Sequence, residues 1–564
     1  MKNMNPIFSL KNFRSFGEEG ANFELAPITV LTGCNSAGKS SLVKALMLMA
    51  RQEFYKEGIG LSDEDRFIPE LKLKTSSVDL KLGGFGNVVH MQDTSKVVIV
   101  SYKVWSEFLH ESVICEWQYK ANKGVLADGK LKRLSVLNSN GDILFEGKPV
   151  ISFVSGDLDE IEVERFEWPD ELPETIEENY RRFLVVYNYL YFKIREEETE
   201  EQSKISRSYQ EYLRKKYQET QKQDDQEDQF VKSLLKDIKD RKESGLNQLK
   251  EVNISQEQAE EYDHDAIIFW YQINYAHLKD LDKVVVYNLS EEEQLEKKKA
   301  TYFSFVINEI VSPRFINNLS FVDSSTNKIN RVYNVEDKDK LSAILLEVVN
   351  QSADYKYITS DFVNSWLERF KIGERIEIEA AEEGLGVKVY IINKKSERHL
   401  MADEGYGITQ LVSLLLQIDM IRKKHGHSEC DYNFKEHRFK EHLEYSQSSI
   451  CVEEPEIHLH PKYQSMLAEM FVEAYQKYNI HFIIETHSEY LIRKLQVMVA
   501  DKENTLTPND VSLNYVEKDE NGTSHNRQIK ILKDGRLSEP FGPGFFDEAT
   551  GLSMHLLKMK MEAK

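Results

Sequence analysis

The chain has few of the features that hold extracellular or membrane proteins together. It contains four cysteines in 564 residues, and none of them forms a C-x-x-C pair. The sequence therefore offers no disulfide framework and favours a reducing cytoplasm. No run of about 18 apolar residues occurs, which argues against a transmembrane helix. The first residues lead into a predicted strand and carry no secretory apolar core. We expect a cytoplasmic protein with no membrane partner.

Basic residues are outnumbered by acidic ones. The chain has 73 Lys and Arg against 95 Asp and Glu, a formal net charge of −22. An acidic protein repels phosphate-rich surfaces overall, so any contact with DNA would need a local basic patch. DNA therefore remains a candidate partner only through such a patch.

Proline is absent from residues 175–250, which are dense in Glu, Lys, Gln and Arg. Apolar residues there recur at helical spacing, as at Ile205, Tyr209 and Leu213. Heptads are not sustained, so the pattern favours a helical hairpin over a long coiled coil. We predict a mostly helical insertion at residues 166–315, between an N-lobe at 1–165 and a C-lobe at 316–564.

Residues 33–40 contain the phosphate-binding pattern G-x-x-x-x-G-K-S. An apolar run at 27–31 precedes it, and residues 41–49 follow with helical spacing. Backbone N–H groups of such a loop and the following helix N-terminus bind phosphate oxygens. The predicted nucleotide-binding residues are Gly33, Asn35, Ser36, Ala37, Gly38, Lys39, Ser40 and Ser41.

Two adjacent carboxylates end a second apolar run, in ICVEEPE at residues 450–456. The pattern is typical of a strand that delivers acids to a nucleotide and its metal. Glu453, with the hydroxyl of Ser40, would hold Mg²⁺, and Glu454 would orient and deprotonate the attacking water. The metal-side residue is Glu rather than the usual Asp, one methylene longer.

A third apolar run, IHFIIETHS at 480–488, would place the imidazole of His487 near the γ-phosphate. The glycines Gly405 and Gly407 in DEGYGITQ open a predicted helix and could form a second anion site. Near the N-terminus, Lys11 and Arg14 either line the phosphate loop or are surface charges. The predicted catalytic residues are Glu454 and His487.

Several histidines leave alternatives open. His458 and His460 follow the predicted catalytic strand, where loop packing competes with a zinc site. Residues 425–442 contain four more histidines and Cys430 in what we predict to be a charged loop, with a metal site as the alternative. The motif Asp337-Lys338-Asp339 is interpreted as a solvated turn, with a metal pair as its alternative.

Short alternating runs at residues 96–104, 113–119, 134–137, 143–145 and 150–153 predict an antiparallel sheet of hairpins. Residues 376–378 and 387–392 predict a further hairpin. Together with the strand–loop–helix pattern, they predict an α/β nucleotide-binding fold that carries an antiparallel β subdomain and the helical insertion. Residues 7–16 predict an edge or second-layer strand followed by a turn.

The ordered motifs GCNSAGKSS, DEGYGITQ, ICVEEPEIHLHP and IIETHS resemble the ABC-type ATPase heads of the RecF, SMC and OLD-like lineage. LKNFRSF and GPGFFDEA resemble one bacterial branch that includes the ATPase subunits of Septu-type (PtuA-like) phage-defence systems. The resemblance implies the α/β fold of a P-loop ABC-type ATPase head with a mixed sheet and an antiparallel β subdomain. It also implies ATP and Mg²⁺ as cofactors and a homodimer, or higher homo-oligomer, of ATP-sandwiched heads. In such a dimer Gly405 and Gly407 would cap the γ-phosphate of the other head.

Three functions remain open at this point. The first is an ATPase that switches a separately encoded effector, such as an HNH nuclease, in phage defence. The second is a RecF-like DNA-binding ATPase in DNA repair. The third is a nucleotide-sensing scaffold without hydrolysis, against which the pair Glu453 and Glu454 argues.

Overall fold

A computed structural model gives the fold of this chain. It describes residues 5–51, 54–57, 66–69, 71–75, 82–106, 111–122, 127–155, 160–167, 319–323, 330–334, 341–342, 345–346, 349, 356–381, 386–433, 438–445, 447–542, 545–546 and 548–562. The predicted insertion lies outside these residues, apart from the last residues of a strand that ends at Glu167. Residues 337–339 also lie outside them.

The described strands and helices follow one another in the order below. The strands are β1 (Ile7–Lys11), β2 (Ala21–Glu24), β3 (Ile28–Gly33), β4 (Phe54–Glu57), β5 (Arg66–Pro69), β6 (Lys72–Leu73), β7 (Val98–Ser106), β8 (Glu111–Lys120), β9 (Gly129–Leu137), β10 (Ile143–Ser155), β11 (Glu160–Glu167), β12 (Leu319–Asp323), β13 (Tyr333–Asn334), β14 (Lys356–Ile358), β15 (Arg375–Ala380), β16 (Gly386–Ile392), β17 (Arg398–Leu400), β18 (Gly426–Asn433), β19 (Arg438–Tyr445), β20 (Ser448–Glu453), β21 (Ile480–Glu485), β22 (Val511–Lys518) and β23 (Ser524–Ile529). The helices are α1 (Lys39–Met49), α2 (Asp361–Arg369), α3 (Tyr406–His425), α4 (Pro461–Tyr478), α5 (Glu489–Ala500) and α6 (Glu548–Glu562).

A six-stranded sheet in the order β12-β20-β21-β3-β22-β23 forms the centre of the fold. All its neighbours are parallel except the antiparallel pair β22 and β23. Both faces are covered, which is why β3, β20 and β21 read as continuous apolar runs. Leu31 packs in one core with Leu42 of α1, whereas its neighbour Val30 packs in the other core with Leu467 of α4. The sheet thus combines strands from before and after residues 168–318.

The predicted antiparallel subdomain is an eight-stranded sheet, in the order β11-β10-β9-β8-β7-β1-β2 with β6 beside β9. Two details differ from the sequence prediction. The runs at 143–145 and 150–153 belong to one strand, β10, because Gly147 and Pro149 do not interrupt the strand pairing with β9 and β11. Strand β1 is internal, since it pairs with both β2 and β7, so the edge interpretation was wrong.

A third sheet, β13-β16-β15-β14 with β17 beside β16, includes the predicted hairpin of β15 and β16. The prediction of a charged loop at 425–442 was wrong. That stretch holds two strands, β18 and β19, paired from Gly426 with Tyr445 to Asn433 with Arg438. The sequence analysis did not predict these strands because their residues are mostly polar, and a two-stranded hairpin need not bury an apolar face.

Among the described residues, no helix is long and apolar enough to cross a membrane.

Candidate functional site

The phosphate-binding pattern forms the turn between β3 and α1. Gly33 has φ 132° and Gly38 has φ 111°, in the region that favours glycine. A Cβ on Gly33 would strike the carbonyl of Val516 in β22. A Cβ on Gly38 would lie 2.5 Å from Ser15 Oγ. The loop therefore needs both glycines, and its exposed crest consists of Cys34, Asn35 and Ser36.

Lys39 begins α1 and is only 4% exposed. Its Nζ donates to the carbonyl oxygens of Gly33 at 3.2 Å and Cys34 at 3.0 Å, so the side chain folds back over the loop. Burial lowers the pKa of Lys39, and the carboxylates of Glu485 and Glu454 act in the opposite direction. The ammonium is thus held between loop carbonyls and the acids of the neighbouring strands.

The hydroxyl of Ser40 is held by an acid that the sequence analysis did not single out. Ser40 Oγ donates to Oε1 of Glu485, the last residue of β21, at 3.0 Å. Glu485 is 6% exposed, and burial raises the pKa of its carboxyl, while Ser40 and Lys39 lower it. The site therefore contains a buried carboxylate directly beside the phosphate loop.

The two predicted acids follow one another at the end of β20. Glu453 is the last strand residue and lies in register with Glu485 of β21. Glu454 leaves the strand with φ 43°, in the left-handed region, and its N–H donates to the Glu485 carbonyl at 2.7 Å. This turn carries Glu454 away from the sheet, where its charge acts on both Lys39 and His487.

His487 lies directly after β21, half-buried, with its N–H donating to Oε1 of Glu456 at 2.7 Å. Burial lowers the pKa of the imidazole, as does the charge of Lys39, whereas Glu454 raises it. The imidazole is therefore neutral at pH 7 and offers one donor and one acceptor. Burial raises the pKa of Glu456, opposed by its hydrogen bonds to Thr486 and His487.

The glycine-rich segment leads into α3. Gly405 faces open space, since a Cβ added there would have no neighbour within 4 Å. Gly407 instead packs on the turn after β20, where a Cβ would lie 2.6 Å from the His458 carbonyl oxygen. Nε2 of Gln410 donates to the Glu454 carbonyl at 3.5 Å. The segment is thus joined to the turn that carries Glu454.

Arg14 lies in the turn between β1 and β2, beside the phosphate loop. Its neighbour Ser15 touches Gly38, and the Ser15 carbonyl accepts the N–H of Ser524 at 2.8 Å. Ser524 Oγ in turn donates to the carbonyl of Ala37. Burial lowers the pKa of Arg14, and its buried Nη1 has no hydrogen-bond partner within the part of the chain that the structure describes. Lys11, the other predicted cation, is exposed at the end of β1.

The histidines after β20 support the turn. His460 caps α4, since its Nδ1 accepts the N–H of Lys462 at 3.3 Å. The ring of His458 packs edge-on against Tyr406 at 4.9 Å between centroids. These contacts are the loop packing that the sequence analysis proposed. Within the described part of the chain, no group of three or more His, Cys, Asp or Glu is arranged to hold a metal ion.

Three residues of the site were missed. The sequence did contain a signal for Glu485, which ends an apolar strand, and for Glu456, which follows a turn proline. Burying a carboxylate at such a position costs free energy unless it has a partner or a function. Ser524 gave no such signal in the sequence, because it lies in β23 and contacts Ala37 of the loop across 487 positions of the chain. Its placement depends on the pairing of β22 with β3.

A family model described as AAA ATPase domain matches residues 7–492. The chain belongs to this family. The match contains the phosphate loop, both acids after β20 and His487, so the AAA ATPase domain assignment covers the site. A second model, described as Protein of unknown function (DUF3696), matches residues 506–556. That stretch supplies β22 and β23, which contact the phosphate loop through Val516 and Ser524.

Solved structures of SMC heads are similar to this chain over most of its length. The SmcHead bound to the C-winged helix domain of ScpA has TM-score 0.33 and 10% identity, and covers 94% of this chain and 99% of its own. The SMC head domain from Thermotoga maritima has TM-score 0.31 and 11% identity, covering 93% and 98%. None of the curated proteins matches this chain. The phosphate loop before α1, the mixed central sheet and the antiparallel β subdomain, together with the AAA ATPase domain match, give this chain an α/β P-loop ATPase fold.

Proposed function

We propose that this chain binds ATP together with Mg²⁺ and hydrolyses it as an ABC-type ATPase head. One observation carries the proposal: Lys39, Glu454 and His487, from three separated stretches, follow the carboxyl ends of neighbouring parallel strands, close enough for their charges to act on one another. The carboxyl ends of parallel strands are where α/β proteins bind nucleotides. The backbone geometry of the loop, with glycines at Gly33 and Gly38, supports the same assignment.

Nucleotide binding would use donors that this chain already presents. The exposed crest of the loop offers backbone N–H groups, and α1 contributes the positive end of its dipole. Lys39 would exchange its two loop carbonyls for the β- and γ-phosphate oxygens, which are stronger acceptors. Arg14, whose buried Nη1 has no hydrogen-bond partner among the described residues, is the cation that could add a further donor for an anion.

The oxygen donors at the site fit a magnesium ion. Ser40 and Glu453 would hold it, and the ion would neutralise part of the phosphate charge. Carboxylate and hydroxyl oxygens suit Mg²⁺, which is usually bound through one or two carboxylates and takes its other ligands from phosphate and water. The buried and unpaired Oε2 of Glu485 is a further oxygen that a cation would satisfy.

Hydrolysis would depend on Glu454 and His487. Glu454 leaves the strand in a constrained conformation and can take a proton from a water in line with the γ-phosphate. The neutral imidazole of His487 can donate a hydrogen bond to a γ-phosphate oxygen as charge develops there. Glu456 positions His487 by accepting its backbone N–H.

The test of this function is Glu454→Gln. The amide can still hydrogen-bond the water but cannot accept its proton, so we expect ATP hydrolysis to fall by roughly 10²–10⁴-fold. ATP affinity should change little. Phosphate release and equilibrium binding of a fluorescent ATP analogue measure the two quantities, with Glu503→Gln on an exposed loop as control. Hydrolysis at the wild-type rate would show that Glu454 is not the base.

We further propose that two heads enclose ATP between them. The open space around Gly405 supports this, because an exposed helix start can approach a phosphate that belongs to another molecule. Gly407 would support that surface from behind, through its contact with His458. Loss of the γ-phosphate would remove the shared ligand, and the heads would separate.

The biological output of such a cycle would be a switch for a separate effector, as the resemblance to Septu-type phage-defence ATPases suggests. A separately encoded HNH nuclease is the candidate effector, and the net charge of −22 argues against extended DNA binding by this chain. The alternative is a RecF-like ATPase that binds DNA itself. Gel-shift titration of the chain with duplex DNA, at several salt concentrations and with ATP, separates the two. Tight binding by the chain alone would favour the alternative.

A further inference from the structure

The carboxylate of Glu485 faces the phosphate loop from the central sheet. Glu485 lies in register with Leu31 of β3. Residues in register on neighbouring strands project to the same face of a sheet. Ile483, two residues earlier, packs in the same core as Leu31 and Leu42 of α1. Glu485 is therefore on the α1 side of the sheet, where its Oε1 accepts the hydroxyl of Ser40 at 3.0 Å.

The second oxygen of this carboxylate, Oε2, lacks a hydrogen-bond partner in the described part of the chain. Glu485 is more than nine-tenths buried, at 6% exposure, and its Oε2 has no hydrogen-bond partner among the described residues. A buried carboxylate oxygen without a partner is costly, since it gives up hydration for nothing. Such an atom in a native fold calls for a ligand.

The charges around Glu485 indicate which kind of ligand its Oε2 would bind. Glu454 and Glu456 both act on Glu485 with like charge, and Lys39 opposes them. Nucleotide phosphate would add more negative charge and would also engage the Lys39 ammonium. A fixed carboxylate next to that phosphate is repulsive unless a further cation lies between them. The ligand that satisfies Oε2 must therefore be a cation with affinity for hard oxygen donors.

We propose that Glu485 is a protein ligand of the divalent cation that accompanies the nucleotide, through Oε2. This assignment rests on the proposed nucleotide binding and adds a carboxylate to Ser40 and Glu453. Divalent cations of this class prefer carboxylate and hydroxyl oxygens, which Glu485 and Ser40 present side by side. Without the cation, Glu485 accepts the hydrogen bond of the Ser40 hydroxyl through Oε1. With the cation bound, Oε2 of Glu485 and Oγ of Ser40 would both coordinate it.

The proposal is tested by the coupling between metal and nucleotide. Affinity for mant-ATP is measured in EDTA and in excess Mn²⁺, for wild type, Glu485→Gln and Glu485→Asp. In Glu485→Gln, removal of the repulsive charge should tighten metal-free binding, and loss of a ligand should weaken binding with Mn²⁺. We expect the Mn²⁺-dependent enhancement to fall about tenfold or more. Glu485→Asp keeps the charge, so its metal-free affinity should stay at the wild-type level.

The opposite signs of the two changes separate a ligand from a positioning residue. If Glu485 only held the Ser40 hydroxyl, the Gln amide oxygen could still accept it, and both affinities would stay at wild-type values or fall together. Either result overturns the proposal. Glu520→Gln, on an exposed turn, is the control, and thermal melts verify that each variant is folded. Failure of the wild type to bind mant-ATP in either condition would instead contradict nucleotide binding itself, and this site with it.

Discussion

At the scale of single residues, the site depends on Lys39 having weak partners before the nucleotide arrives. Its Nζ donates to two carbonyls of its own loop at 3.2 and 3.0 Å, and burial lowers its pKa. A cation with only neutral acceptors gains when charged oxygens replace them. The charges of the neighbouring acids Glu485 and Glu454 oppose this effect of burial on the pKa of Lys39.

Replacing Lys39 by alanine should weaken ATP binding by roughly 100-fold, since a hydrogen bond to a charged group contributes about 1.5–3 kcal/mol. The fold should persist, because the aliphatic stem is the only packing lost. Isothermal titration with ATP and Mg²⁺ measures the change, and Lys502→Ala removes an exposed lysine as control. Equal affinity of Lys39→Ala and wild type would show that the loop is not the phosphate site.

At the scale of elements, the two glycines before and within α3 have different roles despite their similar sequence setting. Gly405 faces open space, whereas Gly407 packs against the carbonyl of His458. The sequence pattern predicted the same role for both glycines, as residues whose backbone N–H groups bind an anion at the start of a helix. The structure shows that a bulky residue at position 407 would disrupt the head itself. Position 405 is therefore the one that can report on an interface.

We predict that Gly407→Ala destabilises the chain and that Gly405→Ala does not. A Cβ 2.6 Å from the His458 oxygen forces a backbone shift, which typically costs about 1–3 kcal/mol, as overpacking does. At Gly405 the effect should stay within about 0.5 kcal/mol, the usual range for surface substitutions. Urea denaturation followed by circular dichroism gives both values. Equal midpoints for the two variants would contradict the contact with His458.

At the scale of the whole molecule, the central sheet takes β3 from the first part of the chain and its other five strands, β12, β20, β21, β22 and β23, from the part after residue 318. The catalytic residues that we propose thus meet only when both parts fold together. A head built in this way exposes the start of α3, and association through that surface would be reversible by hydrolysis.

The expected signature is a dimer that forms with ATP in the Glu454→Gln chain. Hydrolysis would be blocked, so bound ATP would keep two heads together, and ADP should leave monomers. Adding Gly405→Trp should prevent the dimer without unfolding the head, because the side chain has open space there. Light scattering after size exclusion measures the mass. A dimer indifferent to both nucleotide and position 405 would place association on another surface.

Sequence patterns predicted the parts of the fold that depend on short-range order. The strand–loop–helix unit of β3 and α1, the strands that end in Glu453 and in Glu485, and the hairpin of β15 and β16 were predicted from apolar runs and turn residues. These features depend on neighbours a few positions apart, so periodicity records them. Strands β18 and β19 were missed because their residues show no sustained alternation of apolar side chains, and β10 was predicted as two separate runs.

The amino-acid sequence by itself determined which groups could carry the chemistry: Lys39, Ser40, Glu453, Glu454 and His487 all stood out by pattern. The tertiary structure determined how these residues are arranged and which partners they contact. The hydrogen bond between Ser40 and Glu485 joins residues 445 positions apart, and the contact of Ser524 with the loop joins residues 487 apart. Such contacts follow from strand order in the sheet, and strand order is set by the burial of both faces together, which no local window of sequence contains.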